Sequence, residues 1–433
     1  MTTSAPRPHP LASRRIRLVL WGVVIALIGV QAYGVRGLCV EDHQLCDFGH
    51  FYYAAADWRT GSGSLYEPNV ASPRVINGQQ FELTNVASPL WHLLVLPFTY
   101  IPPGVAFALW VACNIAAWMW SLRVCASQWN LNVDQRWYPL IALGVVSSTL
   151  TAGAFHTGQY VGLLMVPATL AWRAAREDRW ASAGAWIGIL AYHKPFALVF
   201  LAWMLWHRHG RAVVTAAIAV TGSIVVGELV FGLGIHQQWR ASLQQDVTGW
   251  TWLYVNASAW APWARAFKPS PSFAHLLDPT LAMLPAVASA ALVTAVTGWR
   301  LRRRVDIDTA WAILWLAALL ISPLGWTYYI WWAAGPLGIV AIHVLQDQTN
   351  RRWPIVAIAA CFWLPLNVVI IGQPSVFASF FVGSVFTWAM LALWFLSLRE
   401  ARRQADRLSH RLATPLTQAA AAPAFPCSAN ALE

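Results

Sequence analysis

Long runs of apolar residues, separated by short polar stretches, dominate the sequence. A helix needs about 20 apolar residues to cross a bilayer, although shorter helices occur inside a bundle. The pattern therefore predicts an all-α polytopic membrane protein with about twelve transmembrane helices. The predicted spans are 18–36, 103–122, 138–155, 159–172, 180–194, 196–207, 212–232, 277–299, 308–322, 326–344, 354–372 and 376–397.

The composition supports a membrane protein and excludes several other classes. Of the 433 residues, 58% are hydrophobic and 11% are charged, whereas a soluble domain carries about 25% charged residues. The net charge of +11 does not indicate nucleic-acid binding, because the basic residues stand between the apolar runs. A soluble enzyme, a disordered chain and a nucleic-acid-binding protein are all excluded.

The distribution of basic residues predicts the orientation of the chain in the cell (plasma) membrane. If the N-terminus is cytoplasmic, 22 of the 29 Lys and Arg residues fall in cytoplasmic segments and seven fall outside. Cytoplasmic loops are normally enriched in Lys and Arg. Both termini are therefore predicted to be cytoplasmic, and the functional surface is predicted to face outward.

Two N-terminal segments admit a second interpretation. The apolar stretch 87–101 is short and contains two prolines, so we expect it to lie in the outer interface or to dip into the bilayer and return, since a full span would reverse every later loop. The basic and apolar N-terminus resembles a signal peptide but lacks an A-x-A-like site, which favours a retained anchor.

The chain divides into three regions on this topology. Residues 1–17 form a cytoplasmic N-terminus, and 18–399 form the transmembrane domain with long outer loops at 37–102 and 233–276. Residues 400–433 comprise a basic amphipathic helix and a low-complexity tail on the cytoplasmic side. The length of the outer loops indicates that the working surface faces outward.

The first outer loop contains a predicted interfacial helix that begins near Asp47 and runs to Trp58. Four of its residues share one face at helical spacing: Phe48, Phe51, Tyr52 and Ala55. Asp47 has two interpretations. It is a capping residue, as Asp often is at a helix start, or it is a functional carboxylate at the membrane surface.

Cys39 and Cys46 flank the acidic stretch before this helix, on the side where disulfides persist. We predict that they form a disulfide that holds Asp47 in place, and the alternative is two unrelated thiols. Lys194 is one of only two lysines and interrupts an apolar run on the outer side. An ionisable residue at such a depth is a functional candidate, although a lysine can also snorkel to lipid headgroups.

Several short motifs together carry a resemblance to a known family. They are D-F-x-x-F-Y-Y-A-A at 47–55, G-S-L-Y-E at 63–67, Ser88-Pro89 with L-P-F at 96–98, Gly158-Gln159, Lys194-Pro195 and Ser322-Pro323-x-x-Trp326. On these motifs the chain resembles glycosyltransferase family 87, the polyprenyl-phosphate-mannose-dependent α-mannosyltransferases of the GT-C superfamily. The resemblance extends over about residues 15–400.

The resemblance implies a GT-C-like bundle with interfacial helices in its first outer loop. It also implies an inverting transferase that moves a sugar, mannose above all, from a polyprenyl-phosphate donor to a glycolipid or glycan acceptor. Related arabinofuranosyltransferases leave the sugar open. Asp47 matches the acidic residue that serves as general base in the family. The family often has a histidine after the S-P-x-x-W turn, where this chain has Thr327-Tyr328-Tyr329.

The remaining site residues are expected to contact the donor phosphate or a substrate: Lys194, Gln159, His193, Trp326, Tyr328 and Tyr329. A phosphate leaving group needs no strong general acid, so one carboxylate base and one cation suffice. No cofactor or metal is predicted, and the predicted partners are the lipid-linked donor, the acceptor and the bilayer.

Two other functions remain open at this stage. A chain of twelve spans with both termini inside is also typical of transporters, for which Glu228 is the main buried ionisable candidate, although no internal repeat is evident. A noncatalytic partner in envelope assembly is the third interpretation.

Overall fold

The computed structural model describes residues 13–40, 46–66, 73–76, 79–82, 85–129, 138–246, 250–267, 279–303, 305–346, 358, 361–364 and 375–420. Helices make up nearly all of the regular structure in these ranges. The strands found there are one antiparallel pair, Pro73–Ile76 (β1) and Gln79–Glu82 (β2), with Pro73 opposite Glu82.

The α-helices follow in chain order as α1 (Arg14–Val40), α2 (Cys46–Thr60), α3 (Pro89–Val95), α4 (Pro103–Gln128), α5 (Tyr138–Ser147), α6 (Thr149–His156), α7 (Val161–Arg176), α8 (Trp180–His193), α9 (Leu198–Trp206), α10 (Gly210–Phe231), α11 (Ile235–Asp246), α12 (Ala261–Ala266), α13 (Met283–Leu301), α14 (Ile307–Ile321), α15 (Ala334–Gln346), α16 (Val376–Phe381) and α17 (Val385–Ala420). Four 3-10 helices add Leu96–Tyr100, Pro195–Ala197, Pro279–Ala282 and Thr327–Ala333.

The predicted count of twelve transmembrane helices is not confirmed. In the described part of the chain, four helices are long and apolar enough to cross a membrane, namely Arg14–Gly37 of α1 together with α4, α10 and α13. The pair α5 and α6 gives a fifth if they form one span, since they meet at a bend of 58°. A polytopic membrane protein remains the architecture that these helices support.

Local breaks explain why several predicted spans are short. The apolar stretch between 180 and 207 is divided where Lys194 and Pro195 separate α8 from α9. The predicted span 326–344 begins as the 3-10 helix Thr327–Ala333 and continues as α15. The predicted span 354–372 lies almost entirely outside the described residues.

The segment 87–101 forms two short elements. The helix α3 has seven residues, which corresponds to a rise of about 10 Å, and the 3-10 helix Leu96–Tyr100 follows it directly. Trp91, His92 and Val95 of α3 are buried against the rest of the protein. The segment is therefore too short to cross a bilayer as one helix.

The centre of the bundle is α14. Its residues from Thr309 to Leu320 are all buried, as expected for a helix that is apolar on every face. Phe200 of α9 packs on Trp311 and Trp315, with ring centroids 4.9 and 4.6 Å apart. Asp306 caps the start of the helix by accepting a hydrogen bond from the Thr309 amide at 2.9 Å.

Small residues allow α8 and α10 to pack with their backbones in contact. A Cβ atom at Gly184 would lie 2.0 Å from the carbonyl oxygen of Ala212, and one at Gly188 would lie 2.5 Å from that of Ala216. This four-residue spacing of small residues is the usual way in which membrane helices approach closely. The contact fixes the position of α8, and therefore of Lys194 at its end.

The last helix crosses the predicted boundary at residue 399 without a break. α17 begins at Val385 and continues to Ala420 as one helix. The C-terminal region that the sequence assigns to a separate basic helix is thus continuous with the preceding apolar helix up to that residue.

Candidate active site

Asp47 is held by a tight turn that joins α6 to α7. The backbone amides of Asp47 and Phe48 both donate to the carbonyl oxygen of Thr157, at 2.9 and 3.3 Å. The Gln159 amide Nε2 donates to Asp47 Oδ2 at 2.7 Å. The start of α2 is therefore attached to this turn through both its backbone and its carboxylate.

Gly158 makes this turn possible. Its φ of +67° lies in the left-handed region that favours glycine. A Cβ atom at this position would lie 2.7 Å from the Phe48 Cβ and 2.6 Å from the Phe107 ring. The Trp110 indole also donates to the Gly158 carbonyl at 2.8 Å. The absence of a side chain lets the turn lie directly against α2.

Lys194 ends α8 between two tyrosine rings. Its Nζ lies 5.0 Å from the centroid of Tyr160 and 5.2 Å from that of Tyr329, both within cation–π distance. Among the residues that the structure describes, Lys194 forms no ion pair with a carboxylate. A half-buried cation with aromatic neighbours and no counter-ion is suited to receive an anionic ligand.

Tyr328 and Tyr329 are buried in the 3-10 helix Thr327–Ala333. Their rings are 4.9 Å apart, and Trp326 stacks on Tyr328 at 6.4 Å. Tyr328 interacts electrostatically with Asp47, and Tyr329 does so with Lys194. Tyr329 therefore faces the Lys194 ammonium, and Tyr328 packs against Tyr329.

The segment 250–267 holds the turn that carries Trp326. Asn256 is fully buried, and its amide donates to the Pro323 carbonyl at 2.7 Å while its Oδ1 accepts from the Gly325 amide at 3.0 Å. The Ala257 amide donates to the Gly325 carbonyl at 2.7 Å. Because the Asn256 amide is buried in these contacts, its side chain is occupied in holding the turn.

Arg265 stabilises the same segment through hydrogen bonds. Its guanidinium donates to the carbonyl oxygens of Trp252, Leu253 and Asn256 at 3.0, 2.6 and 2.6 Å and to Ser384 Oγ at 2.8 Å. A buried arginine that uses several of its donors on backbone carbonyls is a structural group. Through it, the loop that positions Trp326 is attached to the start of α17.

His193 lies beside Lys194 and is buried. One ring nitrogen, Nδ1, lies 2.5 Å from Ser88 Oγ, and the ring packs edge-on against Trp91 at 5.5 Å. Trp91 in turn contacts the Tyr160 ring at 4.0 Å. His193 is thus joined to the Ser88–Pro89 motif and to the tyrosines around Lys194.

A second histidine, His92, supports the same region from α3. Burial lowers the pKa of His92 to about 4, so its ring is neutral near pH 7. Asn85 Nδ2 donates to its Nε2 at 2.8 Å and to the Leu65 carbonyl at 2.8 Å. This neutral pair fixes α3 against the segment that follows α2.

The structure brings most of the predicted site residues into one cluster. Asp47 and Gln159 form one end, and Lys194 and His193 form the other. Tyr160, which the sequence analysis did not single out, joins them because it follows Gln159 directly and its ring faces Lys194. Ser88 and Asn256 were also missed as contacts of site residues.

Two predictions about the site are not tested, namely the disulfide and the absence of a metal or cofactor. The side chains of Cys39 and Cys46 lie outside those that the structure describes, so their disulfide stays a prediction. The described residues contain no group of three or more His, Cys, Asp or Glu side chains that could hold a metal ion.

Comparisons with known proteins show to which family the chain belongs. The model of glycosyltransferase family 87 matches residues 87–323, a range that includes Ser88, Gln159 and Lys194. Asp47 and Tyr328 lie outside the matched range. The chain is also similar to the polyprenol-phosphate-mannose-dependent alpha-(1-2)-phosphatidylinositol pentamannoside mannosyltransferase of Mycobacterium tuberculosis (strain CDC 1551 / Oshkosh), with 24% identity over 320 residues, 72% of this chain and 70% of the relative.

The match to the family model covers more than half of the chain, and the predicted resemblance is confirmed. This protein belongs to glycosyltransferase family 87.

Proposed function

We propose that this protein is an inverting glycosyltransferase that moves a sugar, mannose in the first place, from a polyprenyl-phosphate donor to a glycolipid or glycan acceptor on the outer face of the membrane. Asp47 is the general base, and Lys194 contacts the donor phosphate. One observation carries the proposal: in a family 87 chain, Asp47 bonds to Gln159, and the adjacent Tyr160 ring faces the half-buried Lys194 ammonium, which has no carboxylate partner among the described residues.

The reaction requires one proton transfer and one displacement. Asp47 takes the proton from the acceptor hydroxyl as its oxygen attacks the anomeric carbon of the donor sugar. The bond from this carbon to the phosphate oxygen breaks, and its electron pair leaves with the polyprenyl phosphate. Attack on the face opposite the phosphate inverts the configuration at the anomeric carbon.

Lys194 stabilises the charge that develops on the departing phosphate. The donor phosphate is a diester and gains a negative charge as it leaves as polyprenyl phosphate, and a nearby ammonium stabilises this charge more in a partly desolvated site than in water. The Tyr160 and Tyr329 rings hold the ammonium in place without neutralising it. This arrangement supports binding of a phosphate-linked donor in the ground state as well as in the transition state.

The printed name of the similar protein supports the donor class and the sugar. That relative is named for dependence on polyprenol-phosphate-mannose and for a phosphatidylinositol-linked acceptor. At 24% identity, we take only the class of donor, its sugar and the class of acceptor as the proposal for this chain.

The transporter interpretation has no comparable support. Glu228, its main candidate residue, lies in the last turn of α10 and accepts hydrogen bonds from the Gly234 and His236 amides at 2.5 and 3.3 Å. Its carboxylate also bonds to the His236 ring at 2.7 Å. Glu228 thus caps the start of α11, which explains it without a transport pathway.

The test is transfer by the purified protein from radiolabelled mannosyl polyprenyl phosphate to octyl α-mannoside or to a total membrane glycolipid extract. We expect donor-dependent transfer with inversion at the anomeric carbon. A parallel reaction with arabinofuranosyl polyprenyl phosphate distinguishes the two sugars. Failure of the wild-type protein to transfer from either donor to either acceptor would overturn the proposal.

The assignment of the base is tested with Asp47→Asn. This change keeps the shape of the side chain and removes the proton acceptor, so turnover should fall by about 100-fold or more while the donor KM changes little. Asp57→Asn on the same helix is the matched control and should retain near-native turnover. The assignment is wrong if Asp57→Asn abolishes transfer while Asp47→Asn does not.

A further inference from the structure

We propose that Gln159 is a positioning residue that holds the Asp47 carboxylate in the orientation required of a base, and that it does not contact the donor phosphate. This inference rests on the proposed function of Asp47. It reassigns a residue that the sequence analysis placed among the donor or substrate contacts.

The geometry of the contact is that of a charge-assisted hydrogen bond. Gln159 Nε2 lies 2.7 Å from Asp47 Oδ2, within the short range typical of bonds to a carboxylate. The same turn accepts the Asp47 and Phe48 amides on the Thr157 carbonyl. The two backbone bonds therefore fix the start of α2 against residues 157–159, and the Gln159 amide orients the carboxylate itself.

The orientation of the Gln159 amide shows which group it serves. An ionised carboxylate can only accept hydrogen bonds, so the amide nitrogen must face Asp47 and the carbonyl must face away. The Gln159 Oε1 is buried and has no hydrogen-bond partner among the described residues. Buried acceptors are rarely left unsatisfied. The amide nitrogen nevertheless donates to Asp47, although this orientation leaves the amide oxygen without a hydrogen bond among the described residues.

The turn also connects Asp47 with Lys194 through Tyr160. Tyr160 follows Gln159 directly, contacts Phe51 of α2 at 5.4 Å and faces the Lys194 ammonium. A displacement of Gln159 would thus disturb the carboxylate first, and it would reach Lys194 only through Tyr160. From this order of contacts, we expect changes at Gln159 to affect kcat rather than the donor KM.

The decisive variant is Gln159→Glu, which has nearly the same shape. Two carboxylates at hydrogen-bonding distance hold a proton to higher pH than one carboxylate does. The acidic limb of the kcat–pH profile should therefore move up by about one pH unit or more. Gln159→Leu removes the hydrogen bond and should lower kcat about 10- to 100-fold with a donor KM within about twofold of wild type.

A second readout does not depend on turnover. A water-soluble carbodiimide modifies protonated carboxyl groups, and peptide mass spectrometry can follow modification of Asp47 as a function of pH. The midpoint should move to higher pH in Gln159→Glu relative to the wild-type protein. If the wild type transfers no sugar but this midpoint moves, the proposed function fails and the contact between Gln159 and Asp47 stands.

Gln404→Glu is the matched control. Gln404 is also half-buried, donates to Thr309 Oγ1 at 2.9 Å and has a buried Oε1 without a partner in the described structure. The Gln404→Glu variant should leave unchanged both the kcat–pH profile and the pH midpoint of Asp47 modification. The inference is overturned if Gln159→Glu shifts neither readout, or if Gln159→Leu raises the donor KM more than it lowers kcat.

Discussion

At the scale of single residues, the chemistry of the site was easier to predict than its contacts. Asp47 and Lys194 stand out in the sequence because ionisable groups are rare between apolar runs. The contacts in the site do not stand out, since Gln159 is 112 residues from Asp47, to which it bonds, and Ser88 is 105 residues from its partner His193. Contacts at such separations depend on how the helices pack, and a hydrophobic pattern does not contain that information.

Lys194→Ala should weaken donor binding and also slow transfer, because the ammonium is proposed to contact phosphate in the ground state and in the transition state. Hydrogen bonds to charged groups are worth about 1.5–3 kcal/mol. We therefore expect kcat/KM for the mannosyl polyprenyl phosphate to fall about tenfold or more, measured as initial rates over a range of donor concentrations.

Arg240→Ala is the control for this change, since Arg240 is an exposed cation on α11. Loss of an exposed positive charge should leave kcat/KM within about twofold, as expected for a screened surface group. Equal losses in the two variants would mean that Lys194 acts only through the general charge of the surface.

At the scale of elements, the sequence predicted the positions of the helices better than their lengths and ends. The apolar runs at 159–172 and 180–194 correspond to α7 and α8, which have 16 and 14 residues. Hydropathy does not show where a helix stops inside an apolar run, as at Lys194. The small residues Gly184 and Gly188 carried a usable signal for close helix packing that the sequence analysis did not use.

The turn at Gly158 is the element on which the base depends most directly. Gly158→Ala should destabilise the protein, because alanine in the left-handed region costs about 1–2 kcal/mol and its Cβ would also meet Phe48 and Phe107. We expect a lower thermal midpoint in detergent and a lower kcat. Size-exclusion chromatography after heating measures the first, and the transfer assay measures the second.

Gly61→Ala separates the two causes. Gly61 has a similar φ of +73°, but nothing lies within 4 Å of the position that its Cβ would occupy. Both variants incur the conformational cost, and only Gly158→Ala should incur the contact as well. If the two variants lose stability and activity to the same extent, the fit of the turn against α2 is not what holds Asp47.

At the scale of the whole molecule, the predicted topology rests on charge and the family assignment rests on the comparison. The family match agrees with the motifs from Ser88-Pro89 to Ser322-Pro323. The count of twelve spans is not confirmed, since four or five helices in the described residues have the length and apolarity of a crossing. The orientation of these helices in the membrane stays a prediction, and it can be tested independently of catalysis.

Single cysteines in a cysteine-free background should reveal the sidedness of the chain. In intact cells, an impermeant maleimide should label cysteines replacing Ser62 and Arg240, which are exposed and lie in the predicted outer loops. It should not label cysteines replacing Arg302 and Arg402, which are exposed. Arg302 directly follows α13, and Arg402 lies in the basic cluster midway along α17. The physical reason is the retention of Lys- and Arg-rich segments on the cytoplasmic side.

Permeabilised cells provide the control, because all four positions should then react. Labelling of position 302 from outside intact cells would reverse the orientation of α13 and contradict the predicted topology.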